Sequence, residues 1–140
     1  MYLKLHDSFY LGDRGEYLEN ANNYQRIVQF NHRLDLDNTG QNIDSKTFVL
    51  PWQDIPETQE FNPTGLQRAL GWLDIDGVRL VHCDYGQSRS PALAMTYLAK
   101  RVWLEPEFFR ALERMVTIYP EMVYPSGLLR FVKEHWQDIQ

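Results

Sequence analysis

Cys83 is the single cysteine among the chain's 140 residues. An internal disulfide is therefore impossible, and no Cys-x-x-Cys pair is available for a metal. Clustered basic residues are missing too. Fourteen lysines and arginines are scattered against 19 acids, giving a net charge of -5. Without a basic patch there is no electrostatic footprint for nucleic acid or an anionic membrane. Long apolar runs are also lacking. The opening stretch MYLKLHDSFYLGDRGEYLEN carries charges every few residues, unlike a secretory leader or a membrane span. These absences set the expectation of a reduced, cytoplasmic setting with no membrane anchor. No repeat, low-complexity tract or linker interrupts the chain, whose length suits one core rather than two.

What is present is the composition of a folded protein, 44% hydrophobic and 14% aromatic, which argues against disorder. Residues 3–5 and 9–11 read as short strands around a turn. Helical character is expected over 16–24, and strands at 26–30 and 47–50 flank a polar stretch that reads as loop or hairpin. The three prolines of PWQDIPETQEFNP mark a loop. Asn62 suits a helix cap with Pro63 in the first position, and Leu66, Ala69, Leu70 and Leu73 follow at helical spacing. GVRLVH is a strand that runs into the cysteine segment. Pro91 stands where a helix would begin, ahead of ALAMTYLAKRV. A further helix opens at Pro106, with Phe108, Phe109, Leu112, Met115 and Val116 on one side, and Ser126 caps the last. The alternation predicts an α/β domain over residues 1–140, with a mostly parallel central sheet of four to five strands and helices on both faces.

Cys83 sits at the carboxyl end of the GVRLVH strand, with apolar residues before it and polar ones after it. A packing cysteine keeps apolar neighbours on both sides. Open α/β sheets place ligands at this edge, and a helix N-terminus there favours anions through its unpaired N–H groups. Gly86 lets the backbone curl so that the N–H groups of Asp84, Tyr85, Gly86, Gln87, Ser88 and Arg89 can point inward at phosphoryl oxygens. Arg89 adds a fork able to hold two oxygens at once. The same surroundings favour a thiolate, and Ser90 can hydrogen-bond the sulfur. Full ionisation of a thiol gains only about 30-fold at pH 7. The larger contribution must come from holding a phosphoryl group in line and stabilising its equatorial oxygens.

HCDYGQSRS resembles the His-Cys-x5-Arg-Ser/Thr signature of cysteine-based protein phosphatases, and its Ser-Arg-Ser-Pro ending looks most like the dual-specificity branch. LHDSFYLGD is similar to that family's opening strand pair, and LPWQD and TQEFNPTGLQRAL to its acid loop and following helix. The resemblance implies a metal-independent phosphatase without cofactors. Cys83 would be its nucleophile and Arg89 its phosphate-binding cation, with Ser90 and His82 supporting the thiolate. It also implies an aspartate general acid about thirty residues before the cysteine. Asp54, twenty-nine residues upstream, is the better match, while Glu57 competes because ETQEFN also aligns at that position. Asp74 and Asp76 border the turn before the Cys83 strand and are discounted.

His82 is expected to be buried, bonding loop backbone rather than shuttling protons. Trp52 and Tyr85 are candidate walls for an aryl phosphate, although loop aromatics more often simply pack. Relatives that act on phosphoinositides carry lysines inside the loop. This chain has Asp84 there and no lysine, which favours a phosphorylated protein or peptide substrate, phosphotyrosine first. The asparagine that many relatives place near VYPSGLL is replaced by Tyr124, Pro125 and Ser126, so the loop's support must differ. A monomer is expected. The rival readings are a catalytically weak phosphoprotein-binding module and a phosphatase of a non-protein phosphomonoester. A rhodanese-like sulfur carrier fits less well, having no use for the upstream aspartate.

Overall fold

The computed structural model describes residues 2–33, 35–55 and 61–140. The chain opens with an antiparallel pair, β1 (Tyr2–His6) and β2 (Phe9–Gly12). Helix α1 (Arg14–Asn20) begins earlier than the sequence pattern suggests, because Asp13 caps it by accepting the Glu16 N–H at 2.9 Å. One 3-10 turn at Ala21–Asn23 follows, and Tyr24 is already extended. Next come β3 (Arg26–Phe30), the two-residue β4 (Gln41–Asn42) and β5 (Thr47–Leu50). Helix α2 (Pro63–Leu73) is capped by Asn62 with Pro63 at its start, as expected. Strand β6 (Arg79–His82) then leads into α3 (Arg89–Tyr97). Helices α4 (Phe108–Ile118) and α5 (Gly127–Glu134) complete the chain, the second capped by Ser126.

The strands lie in the order β1-β2-β6-β3-β5-β4. The three inner pairings are parallel and the two outer ones antiparallel. The expected mostly parallel sheet is therefore present, with six strands rather than four to five. The extra edge strand, β4, arises in the polar stretch, where Gln41 and Asn42 are exposed and give no apolar alternation to read. Side-chain alternation divides the sheet into two faces. Phe9, Leu11, Val28, Phe30, Phe48, Leu50 and Val81 pack into the large core with the four later helices. Ile27 and Leu80 point the other way, and α1 covers them through Tyr17. Helices thus lie on both faces, unequally.

Helix α3 is the central one, all nine of its residues buried, which its all-round apolar ALAM sequence permits. Beyond Tyr97 the helical path widens into π-type turns over Leu98–Trp103 and ends at Leu104 in the left-handed region. Helix α4 buries Phe108, Ala111 and Met115, but Phe109 is 64% exposed, so it does not belong to the apolar side assigned to it. Among the described residues no helix is long and apolar enough to cross a membrane.

This topology positions the site. β2, β5 and β6 all run in the direction of β3, so their carboxyl ends emerge on one edge. That edge gathers the Asp13 turn, the Pro51–Asp54 segment and Cys83, although they are far apart in sequence. Gly40 shapes the approach to β4. It holds φ +88, and a Cβ there would meet the Phe48 ring at 2.3 Å. Gly71, on the exposed side of α2, has nothing within 4 Å of such a Cβ. Gly40→Ala should destabilise the fold by about 1–3 kcal/mol. Gly71→Ala should stabilise it by about 0.5–1 kcal/mol. Urea unfolding of the two variants checks both signs.

Candidate active site

β6 delivers Cys83 to the sheet edge, and the chain then curls through residues 84–88 into α3. Gly86 makes this curl at φ 70, in the left-handed region that glycine adopts without a steric penalty. Helix α3 begins at Arg89, with Ser88 as its cap residue, two positions before Pro91. Pro91 falls within the first turn instead, where its missing N–H is no loss. The early start puts both Arg89 and Ser90 in the first turn, beside the cysteine. Cys83 Sγ lies 3.0 Å from Ser90 Oγ, and both residues are buried.

Arg89 is the organising side chain. Its guanidinium is buried, and Nη1 donates to the Trp52 carbonyl oxygen at 2.8 Å. Nη2 lies 3.6 Å from Asp84 Oδ2, a loose pairing with a half-exposed carboxylate. Among the described residues Nε has no hydrogen-bond partner. Nη1 is thus anchored, while Nη2 is only loosely paired and Nε has no partner among the described residues. A small hollow of about 60 Å³ opens here, lined by Cys83, Tyr85, Gln87, Ser88, Arg89, Asp54 and Val123. The hollow is several times smaller than the cavity that adjoins it.

Asp54 stands on the rim, where its Oδ1 accepts the Ser88 hydroxyl at 2.8 Å. The structure therefore brings Asp54, Cys83, Ser88 and Arg89 to one hollow. Glu57 lies outside the described residues. A second cavity of about 390 Å³ adjoins the hollow, sharing Asp54, Ser88 and Val123 with it and adding Ile55, Pro125 and Arg130. Trp52 does not wall either space. It is fully buried, packed against Phe30, Phe61 and Phe131, with its indole N–H donating to the Asn38 carbonyl at 2.9 Å. Only its backbone oxygen faces the site. Tyr85, by contrast, is 80% exposed at the mouth. Asp74 pairs with Arg101 at 2.9 Å, away from the hollow. Among the described residues no cluster of His, Cys, Asp and Glu is arranged to hold a metal.

His82 is buried on the α1 face, stacked on Tyr17 with ring centres 4.5 Å apart. Its Nε2 lies 3.1 Å from Gln29 Nε2, so the amide donates and the ring's proton sits on Nδ1. Burial pushes its pKa down to about 4, although the adjacent Cys83 backbone and the Asp84 charge pull the other way. The ring is neutral at pH 7 and offers the sulfur no positive charge.

Two supports of the loop were not foreseen. The Val123 N–H donates to the Gln87 carbonyl at 2.6 Å, and the Arg14 N–H donates to the Asp84 carbonyl at 3.2 Å. Both are backbone contacts from distant segments, and a sequence pattern carries no signal for them. They tie the loop to two segments far from it in sequence. Ser126, at that position, accepts the Leu129 N–H at 3.3 Å and so serves its own helix.

His82 links this site to acid stability. Its folded pKa lies below the unfolded value near 6.5, so the unfolded chain binds the extra proton. The stabilising contribution is complete above about pH 6.5 and is lost as pH falls toward 4, by on the order of 3 kcal/mol. Urea unfolding from pH 7 to 4.5 should show that loss, and His82→Gln should flatten it. An unchanged slope in the variant would assign the acid sensitivity to other groups.

No protein-family model matches the chain, and no curated protein matches its sequence. Solved structures do match its fold. The crystal structure of DUSP15 superposes with a TM-score of 0.72 at 19% identity, over 96% of this chain and 86% of that one. The human tyrosine phosphatase-like serine/threonine/tyrosine-interacting protein gives 0.70 at 17%, over 98% and 96%. The Yvh1 phosphatase domain from Chaetomium thermophilum gives 0.66 at 18%, over 97% and 94%. The chain has the single-domain α/β fold of dual-specificity phosphatases.

Proposed function

We propose that this chain is a phosphatase domain of the dual-specificity type, hydrolysing phosphomonoesters through a phosphocysteine. The observation that carries the reading is the hollow itself. Buried Arg89, anchored through Nη1 and with Nε unpartnered among the described residues, lines the same space as the Cys83 thiol, with Asp54 at the rim.

The chemistry balances on these residues. The Cys83 thiolate attacks phosphorus, forming an S–P bond as the P–O bond to the leaving group breaks. Asp54 gives its proton to the departing oxygen. Arg89 and the loop N–H groups from Asp84 to Arg89 hold the three equatorial oxygens, where the transition state carries its charge. Water then attacks the phosphocysteine, Asp54 takes its proton, and the S–P bond breaks with Ser90 stabilising the departing thiolate. Each proton and electron pair has a carrier within the site.

A phosphorylated protein or peptide is the favoured substrate class, phosphotyrosine first. The hollow takes the phosphoryl group, and the adjoining cavity offers Ile55, Val123 and Pro125 to an aryl ring. Asp84, beside Arg89, offsets the loop's positive charge and disfavours polyanions. The same fold occurs in a protein described as phosphatase-like and interacting. A binding module is therefore the second reading, and turnover separates the two.

Hydrolysis of p-nitrophenyl phosphate is the direct assay. Cys83→Ser should reduce it below about a hundredth while leaving phosphate binding measurable. Arg89→Lys should lose about a hundredfold or more, since an ammonium cannot reproduce the fork. The pH profile of kcat/KM should be bell-shaped, and Asp54→Asn should remove its alkaline limb. If Glu57→Gln removes that limb instead, the acid is Glu57. Phosphate binding without wild-type turnover would favour the binding module.

Substrate class is open to a separate panel. Phosphotyrosine peptides should be turned over with a higher kcat/KM than polyphosphoinositides, and Asp84→Asn should narrow the gap. A phosphoinositide preferred over every phosphopeptide would contradict the assignment.

A further inference from the structure

A further cavity lies on the α1 face of the sheet, beside Val78 at the entry to β6 rather than at the Cys83 edge. It has a volume of about 450 Å³, and its lining includes Tyr2, Tyr10, Tyr24, Glu16 and Asn20. The three phenol rings form a continuous wall. Tyr2 and Tyr10 have centres 5.8 Å apart at 57°, and Tyr10 and Tyr24 lie 5.9 Å apart at 71°. Tyr2 is exposed at the mouth, while Tyr24 and Glu16 are buried at the base.

Glu16 is the unusual member. It is a carboxylate only 5% exposed, and its bonded partners are neutral. Asn20 Nδ2 donates to one oxygen at 2.7 Å, and the Tyr24 hydroxyl donates to the other at 2.9 Å. Among the described residues no lysine or arginine pairs with it. A buried charge without a counter-ion is costly, and these two bonds use about half of the four lone-pair sites of the carboxylate. The described cation–π contacts all fall on other rings. Burial and then the Glu16 contacts push the Tyr24 hydroxyl's pKa up, with Tyr10 and Tyr2 adding in the same direction. Glu16 carries the one carboxyl among the lining residues, and no basic side chain is among them.

We infer that Tyr2, Tyr10, Tyr24 and Glu16 form a binding cage for a methylated ammonium group. Aromatic faces attract such cations, and quaternary ammonium is the form that rings accommodate best because it surrenders little hydration. An unmethylated ammonium is a compact, strongly hydrated charge and gains less from phenol walls. A bare divalent cation would need several oxygen ligands, and one carboxylate does not supply them. The cage is separate from the phosphoryl hollow, so its occupancy does not depend on the phosphatase reading.

The test is an NMR titration of the full chain with tetramethylammonium chloride, following the methyl protons and the tyrosine ring signals. Saturable binding with upfield-shifted methyl protons is expected. Glu16→Gln, which can still accept one of the two hydrogen bonds, should weaken it at least about tenfold. Tyr2→Leu, at the exposed mouth, should weaken it without touching the core. Neopentyl alcohol, the neutral analogue, should bind at least about tenfold more weakly than the cation. Parallel titrations with choline and a trimethyllysine peptide separate the sources. Tighter binding of choline assigns a free small cation, and tighter binding of the peptide assigns a modified protein segment. Failure of tetramethylammonium to saturate would overturn the inference. So would equal affinity for the neutral analogue. If Glu16→Gln does not fold, Tyr2→Leu decides, and wild-type affinity in that variant counts against the cage.

Discussion

The arrangement depends on one buried cation. Arg89 is taken out of water at the start of α3, where the helix dipole already contributes positive charge. Removing a charge from water costs several kcal/mol unless partners repay it. The Trp52 carbonyl and the loosely paired Asp84 carboxylate do so incompletely, leaving Nε unpartnered among the described residues. A site that keeps a cation only part-satisfied is best completed by an anion. The proposed phosphoryl substrate supplies one, and the thiol lies beside it.

Trp52 makes this geometry rigid. Its indole is locked among phenylalanines and bonded to Asn38, so the carbonyl that holds Arg89 cannot drift. Asp54 follows two residues later and is tied to Ser88, so the loop bearing the proposed acid and the loop bearing the thiol are coupled at two points. Parallel strands make that coupling possible, since β5 and β6 release their loops on the same edge. The core thus sets the separation of the proposed nucleophile and the proposed acid, which matters in catalysis because misplacement by about 1 Å can cost a hundredfold.

Most of this was legible where chemistry is local. The Asn62 and Ser126 caps, the apolar stripe of α2 and the tight curl at Gly86 follow from residue type and spacing, and all appear. So does the cysteine loop at the strand end. Of the two candidate walls, Trp52 follows the commoner habit of loop aromatics and packs inside, while Tyr85 stays exposed at the mouth. The reading failed where a position depends on distant partners. Phe109 fits the helical spacing of an apolar face but lies on the exposed side of α4. β4 has two polar residues and owes its existence to pairing with β5. The Val123 and Arg14 contacts are made by backbone groups, which every residue carries, so no residue identity announces them.

The proposed reaction passes through a covalent bond to one named atom, and that bond can be observed. Acid quench of Asp54→Asn during turnover of an aryl phosphate, followed by peptide mass spectrometry, would reveal it. The account predicts one phosphoryl group on the peptide containing Cys83, absent when Cys83 is also replaced by serine. Turnover with no adduct on that peptide, or with the phosphoryl group on another residue, would contradict it.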